Sequence, residues 1–179
     1  DADVIDEKSV TDFLIKTIMP ELPSNIEKIE INLYPEHSQS FYYHYSHGLK
    51  KHDGNCQRII HGHRSQIGIS LDGMAMPRLQ KEWADKWEDI YLATAEDEIN
   101  KSELKHVTAQ ENDVCFAYTS QQGYFEMAID KSRCDILPCD TTVECIADYL
   151  SSQVKNQYPD SEVKITAYEG VGKGSISYA

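Results

Sequence analysis

Residues 42–69 read YYHYSHGLKKHDGNCQRIIHGHRSQIGI, and this stretch decides both the architecture and the chemistry of the chain. Five of the seven histidines fall in it (His44, His47, His52, His61 and His63), with Cys56 between them. From Arg64 the residues RSQIGISL alternate apolar Ile67, Ile69 and Leu71 with small or polar neighbours, the pattern of a strand. On a strand, residues i and i+2 point to one face, so His61 and His63 project side by side with Gly62 turned away. Upstream, SFYYHYSH is a second β-rich run in which Phe41, Tyr43, Tyr45 and His47 share a face. If these strands are neighbours, three imidazoles converge.

Three neutral histidines make a zinc site of the catalytic type, because they leave a fourth position open to water or substrate. Zinc there acts as a Lewis acid. Cys56 lies five residues before His61, close enough to be either a fourth ligand or a thiolate that moves protons. His44 points away from His47 and reads as structural. His52, in the polar loop KKHDGN, reads as solvated and as the reserve ligand.

Working outward, Pro77 to Ala95 is predicted to be a helix, with Pro77 in its first turn and Leu79, Trp83, Trp87, Ile90 and Tyr91 as its apolar stripe. The two tryptophans read as core or subunit contacts. Val114–Tyr118 and Tyr124–Ile129 form a predicted hairpin around Ser120-Gln121-Gln122-Gly123. Thr141–Val154 is a second helix, with Thr141 and Glu144 as its capping box. EVKITAY (162–168) is a strand, Gly170–Gly174 a turn, and Ser175–Tyr178 a last short strand. At the N-terminus, Ser9–Met19 reads as a helix capped by Ser9 and Asp12, IEKIEINLY (26–34) as a strand, and Pro35–Ser38 as a turn. Leu14, Ile15, Ile18 and Leu22 match Ile146, Ala147, Leu150 and Val154, so the two ends of the chain form a weak repeat.

Composition bounds the answer. At 179 residues, 40% hydrophobic and 26% charged, the chain reads as one globular domain able to bury a core. The formal net charge of −13 opposes binding to nucleic acid or to an anionic membrane, since both need clustered Lys and Arg. No apolar run approaches transmembrane length and no export signal is visible. Five cysteines without a regular framework, Cys134 and Cys139 included, then read as reduced cytoplasmic thiols.

YSHGL, then Cys56, then HGHR resembles the pattern of the 6-pyruvoyltetrahydropterin and 6-carboxytetrahydropterin synthases. Asp72-Gly73-Met74, Thr142-Val143-Glu144 and Tyr168-Glu169 continue the resemblance, which covers roughly residues 40–179. It implies an α+β tunnelling fold (T-fold): an antiparallel sheet with two helices on one face. Its strands fall near 40–48, 60–72, 161–169 and 174–178, and its helices near 77–95 and 141–155. Residues 1–38 become an N-terminal helix-strand addition to a single domain. Residues 39–179 are the core, with an inserted hairpin near 113–130.

The same resemblance implies zinc held by His47, His61 and His63, with Cys56 as proton acceptor and a 7,8-dihydroneopterin triphosphate substrate. Glu169 matches the family's pterin-anchoring glutamate, and Thr142 and Glu144 match residues near the pterin. It implies a homo-oligomer, trimer or hexamer, with active sites between subunits. The Asp-His dyad of the family is altered here. Glu88 stands where its aspartate is expected and Asp89 where its histidine is, so either Asp89 or His106 takes the second role, or the dyad is lost. The Cys56-to-His61 spacing lies between those of the 6-carboxy and 6-pyruvoyl enzymes, and Arg64 replaces a common asparagine. The expectation is a cytoplasmic lyase of the 6-carboxytetrahydropterin synthase type, used in queuosine (7-deazaguanine) biosynthesis. The alternatives are 6-pyruvoyl activity, or an altered homologue that binds a pterin or purine with the zinc site retained.

Overall fold

The structure is a computed structural model that describes residues 4–34, 41–170 and 172–179. By contact it divides into two units, residues 1–37 and 38–179. In the first, α1 (Glu7–Ile18) begins at Asp6, not Ser9. The Asp6 carboxylate accepts from the Ser9 N–H at 2.7 Å and the Ser9 hydroxyl accepts from the Asp6 N–H at 2.9 Å, a reciprocal cap. None of its residues is buried. Residues 26–34 form no strand, so the expected N-terminal helix-strand pair is a helix followed by irregular chain, and the repeat between the two ends fails. The alternation in IEKIEINLY makes a strand only where a partner satisfies its backbone. The predicted turn over 35–38 lies outside the described residues.

The second unit is built on β1 (Tyr42–His47), β2 (His61–Leu71) and β3 (Met74–Ala75), then α2 (Pro77–Trp87) and β4 (Ile90–Thr94). An added three-stranded sheet follows, of β5 (Glu98–Ile99), β6 (Asp113–Ser120) and β7 (Gly123–Asp130). The chain returns through β8 (Cys134–Leu137), α3 (Val143–Gln157), β9 (Val163–Gly170) and β10 (Lys173–Tyr178). The main sheet runs β10-β9-β2-β1-β4-β8, with β3 on β2. The pairs β10–β9, β9–β2 and β2–β1 are antiparallel, while β1–β4 and β4–β8 are parallel.

One face of the antiparallel part is apolar. Tyr43, Tyr45, Ile67, Ile69, Leu71, Val163, Ile165 and Ala167 are buried on it. Leu79, Trp83 and Trp87 of α2, and Ile146, Leu150 and Val154 of α3, pack into the same core, so both helices cover one face. Each such side chain contributes about 1.5–3 kcal/mol by leaving water. The tryptophans are core residues, and Trp87 donates its indole N–H to Asp135 at 2.9 Å.

α2 ends at Trp87, eight residues before the predicted boundary. Asp89 takes the left-handed conformation (φ 57°), which aspartate tolerates better than most residues, and turns the chain into β4. Ile90 and Tyr91 continue the helical stripe in sequence, but a short apolar run fits helix and buried strand equally. Pairing of Tyr45 with Ile90 decides for the strand. A second apolar cluster, Ile59, Tyr91, Ala93, Phe116, Tyr118 and Met127, joins the added sheet to the main one.

Candidate metal centre

The antiparallel register places His47 directly opposite His61 and Tyr45 opposite His63. Alternation along β1 and β2 then sends all three imidazoles to the helix-covered face at the end of the sheet. Their ring centroids lie 4.4 Å (His47–His61), 5.0 Å (His47–His63) and 5.0 Å (His61–His63) apart. One nitrogen from each lies within 4.8 Å of the other two. A tetrahedral ion about 2.1 Å from each nitrogen spaces them roughly 3.4 Å apart, a change that small ring rotations supply. Beneath them, Tyr45 stacks on His63 at 5.5 Å and meets His47 edge-on at 5.1 Å.

His47 is buried, and its Nδ1–H donates to the Thr141 carbonyl oxygen at 2.9 Å, with the Thr141 hydroxyl 3.0 Å away. A carbonyl only accepts, so Nδ1 carries the proton and Nε2 presents its lone pair to the cluster. Burial, then the neighbouring His61 and His63, push the His47 pKa down to about 3 against the opposing bond to Thr141. His61 is lowered by burial and by His63, partly offset by the Glu169 carboxylate. Both are therefore neutral ligands at neutral pH. His47 Nε2 and both nitrogens of His61 are buried without a hydrogen-bond partner. Such orphaned groups are costly, and a divalent metal ion would satisfy His47 Nε2 and one nitrogen of His61. The donor set fits the metal that the three-histidine pattern implies.

Thr141 orients His47, a role its sequence context does not announce. Its expected place is the helix cap, but the cap is Thr142, whose hydroxyl accepts from the Cys145 N–H at 3.4 Å. The shift by one residue frees Thr141 to orient His47. Nothing in the local sequence separates two adjacent threonines at a helix start.

Cys56 is half-buried in a single 3-10 turn, Gly54–Gln57, between the two histidine strands. Its carbonyl accepts from the Leu49 N–H at 2.8 Å. Glu169, near the end of β9, is ion-paired with Lys173 across the hairpin. The Lys173 ammonium is held charged first by Glu169, with Cys56 and Glu144 also within its electrostatic reach. The Glu169 field in turn acts on His61 and Tyr45. Cys56, Glu144 and Glu169 thus act electrostatically on Lys173, and Glu169 acts on His61, while Thr142 caps the helix that follows Thr141.

His106 is not part of the three-histidine group. Its ring meets Tyr124 edge-on at 6.2 Å, and the N–H groups of Lys105, His106 and Val107 are all gripped by the Glu126 carboxylate. Asp89 sits on the outer side of β1, where its N–H donates to the His44 carbonyl at 2.6 Å and its own carbonyl accepts from Arg133 at 3.0 Å. There the parallel β1–β4 pairing brings His44 Nδ1 to 3.1 Å from Glu88. Forty-four residues separate the two, and no sequence spacing announces the contact.

Fold and site together define an α+β protein with a three-histidine, metal-competent centre at the end of an antiparallel sheet. The chain belongs to the 6-pyruvoyl tetrahydropterin synthase family, whose model matches residues 36–175. Among solved structures, it is similar in fold to the 6-pyruvoyl tetrahydropterin synthase of Plasmodium falciparum (15% identity, TM-score 0.54, covering 79% of this chain and 93% of that one). It is also similar to that of Plasmodium vivax (14% identity, TM-score 0.50, covering 78% and 91%). No curated protein matches the chain. No helix among the described residues is long and apolar enough to cross a membrane.

Proposed function

We propose that the chain is a zinc-dependent lyase acting on 7,8-dihydroneopterin triphosphate, of the 6-carboxytetrahydropterin synthase type that serves queuosine biosynthesis. In this reading it works in the cytoplasm as a trimer or hexamer. The observation that carries the reading is the convergence of His47, His61 and His63, with buried unpartnered nitrogens, within reach of the Glu169 charge. His47, His61 and His63 would hold the ion. Zinc, when bound, supplies Lewis acidity toward the substrate's side-chain oxygens without redox chemistry.

The chain's own residues do the rest. Cys56 takes a proton from the side chain as triphosphate or a two-carbon fragment departs. Glu169 accepts the 2-amino and N3–H donors of the pterin in parallel, and to do so releases Lys173. Thr142 and Glu144 border the pterin edge. The second half of the acid–base pair falls to Asp89 or His106, or to His44, whose ring the Glu88 carboxylate already orients at 3.1 Å. His44 and Glu88 are exposed on the sheet face away from the histidine cluster, so they would serve a neighbouring subunit's site. Placement of His106 against Tyr124 favours, as a second reading, an altered homologue that binds a pterin or purine without the lyase step.

Turnover of 7,8-dihydroneopterin triphosphate by zinc-loaded protein tests this. Release of the 6-carboxy product, abolished in Cys56→Ala, is the expected result. Stoichiometric zinc with no conversion would overturn the lyase reading in favour of the altered homologue.

A further inference from the structure

The turn that carries Cys56 is too short to hold itself. It is one 3-10 turn of four residues, opened by Gly54 at φ 71°, and such turns have little stability of their own. Besides the Leu49–Cys56 bond within the same loop, its contacts come from β4 and the added sheet. The buried Tyr118 hydroxyl of β6 donates to the Gln57 carbonyl at 3.0 Å. Gln122, in the β6–β7 turn, donates its N–H to the Gln57 side chain at 2.9 Å and its side-chain amide to the Gly54 carbonyl at 2.6 Å. Tyr91 of β4 donates to the Ile59 carbonyl at 2.8 Å.

These bonds bracket Cys56 on both sides. Gln57 is a buried polar residue whose amide oxygen is satisfied by that turn. Burial pushes the Tyr118 pKa up, so the phenol stays a neutral donor. At the other end of the same loop, Lys50 is anchored to Asp97, between β4 and β5, at 2.5 Å. The contact is tight enough that a Cβ on Gly48 would overlap both the Tyr118 hydroxyl and the Ile59 backbone.

We infer that the added β5–β6–β7 sheet is a positioning device for the Cys56 thiol, with Tyr118 and Gln122 as its positioning residues. The inference rests on the reading of Cys56 as the proton-transfer group. A thiolate that accepts a proton must lie within hydrogen-bond reach of it, and a displacement of about 1 Å costs on the order of a hundredfold in rate. A sheet that grips the residues on either side of Cys56, and leaves the thiol itself unbonded to it, meets that demand.

The test is the double variant Tyr118→Phe/Gln122→Ala, with each single variant alongside. Phenylalanine keeps the ring in its apolar cluster, and Gln122 is exposed, so the fold is spared. Alkylation of each cysteine by iodoacetamide is followed by peptide mass spectrometry, with buried Cys115 of β6 as internal control. Cys56 alkylation is expected to rise about tenfold, the equivalent of the lost hydrogen bonds, with Cys115 unchanged. On 7,8-dihydroneopterin triphosphate, kcat falls roughly tenfold or more while KM stays within about twofold. Unchanged Cys56 alkylation overturns the inference, as does a parallel rise at Cys115 with a lowered Tm, which would make the sheet a stabilising layer alone. If the wild-type protein turns over no pterin, the lyase reading fails, and the alkylation rates still decide whether the sheet holds the thiol.

Discussion

His47 donates its Nδ1–H to the carbonyl oxygen of Thr141, 2.9 Å away across 94 positions of sequence. The bond selects the tautomer that turns Nε2 toward His61 and His63, and couples the metal centre to the start of α3. Thr141→Val removes the hydroxyl that shares the contact and keeps the carbonyl. Metal affinity is expected to fall about tenfold, measured by chelator competition, with the apoprotein's thermal stability little changed. Unaltered affinity would leave the carbonyl as the sole orienting group.

Glu169 and Lys173 form a partly exposed ion pair, which pterin binding in the proposed mode would have to open. An ion pair of this kind is worth under about 1 kcal/mol, so Lys173→Ala should tighten pterin binding by about fivefold at most. Glu169→Gln removes the charge from a two-donor contact and should weaken binding on the order of tenfold to a hundredfold. Equilibrium titration with a dihydropterin measures both. A weaker Lys173→Ala variant would mean that the ammonium contacts the ligand itself.

Glu126 holds the 105–107 loop through three backbone N–H groups and the Tyr124 hydroxyl. Partial burial raises its pKa, but these donors outweigh that and bring it down to about 2 from the ordinary 4.5. A carboxyl whose folded pKa is depressed stabilises the fold above its unfolded pKa and loses that contribution as pH falls toward the folded value. Hydrogen exchange at Lys105–Val107, corrected for intrinsic rate, should therefore show protection above pH 4.5 that declines toward pH 2. Glu126→Gln should abolish the pH dependence.

Gly48 admits no side chain. An added Cβ would overlap the Tyr118 hydroxyl and lie 2.8 Å from the Ile59 backbone. Gly48→Ala should cost about 2 kcal/mol of stability through overpacking, read from denaturant unfolding. A neutral substitution would show that this loop yields freely, against its proposed rigidity.

In the proposed lyase, Asp89, His44 and His106 are the candidates for the second half of the proton-transfer pair. The ring already oriented by Glu88 is His44, so His44→Ala is expected to lower kcat more than about tenfold, with metal content intact. His106→Ala should change it by less than about threefold. The opposite ranking would return the role to the 105–107 loop.

Strand alternation in residues 42–69 was enough to put His61 and His63 on one face, because the side-chain period of a strand is independent of the rest of the fold, but only the β1–β2 register brought His47 to them. The stripes of Leu79, Trp83 and Trp87 and of Ile146, Leu150 and Val154 likewise named the core faces of α2 and α3. What the chain could not disclose locally depends on partners distant in sequence. Ile90–Thr94 became a strand because β1 and β8 flank it on both sides. Residues 26–34 alternate as well and form no strand, which shows that pattern alone does not secure one. Thr141 meets His47, His44 meets Glu88 and Tyr118 meets Gln57 through sheet register and the added layer. Hydrogen bonds between side chains and backbone over such separations leave no periodicity to read, so only the tertiary structure decided them.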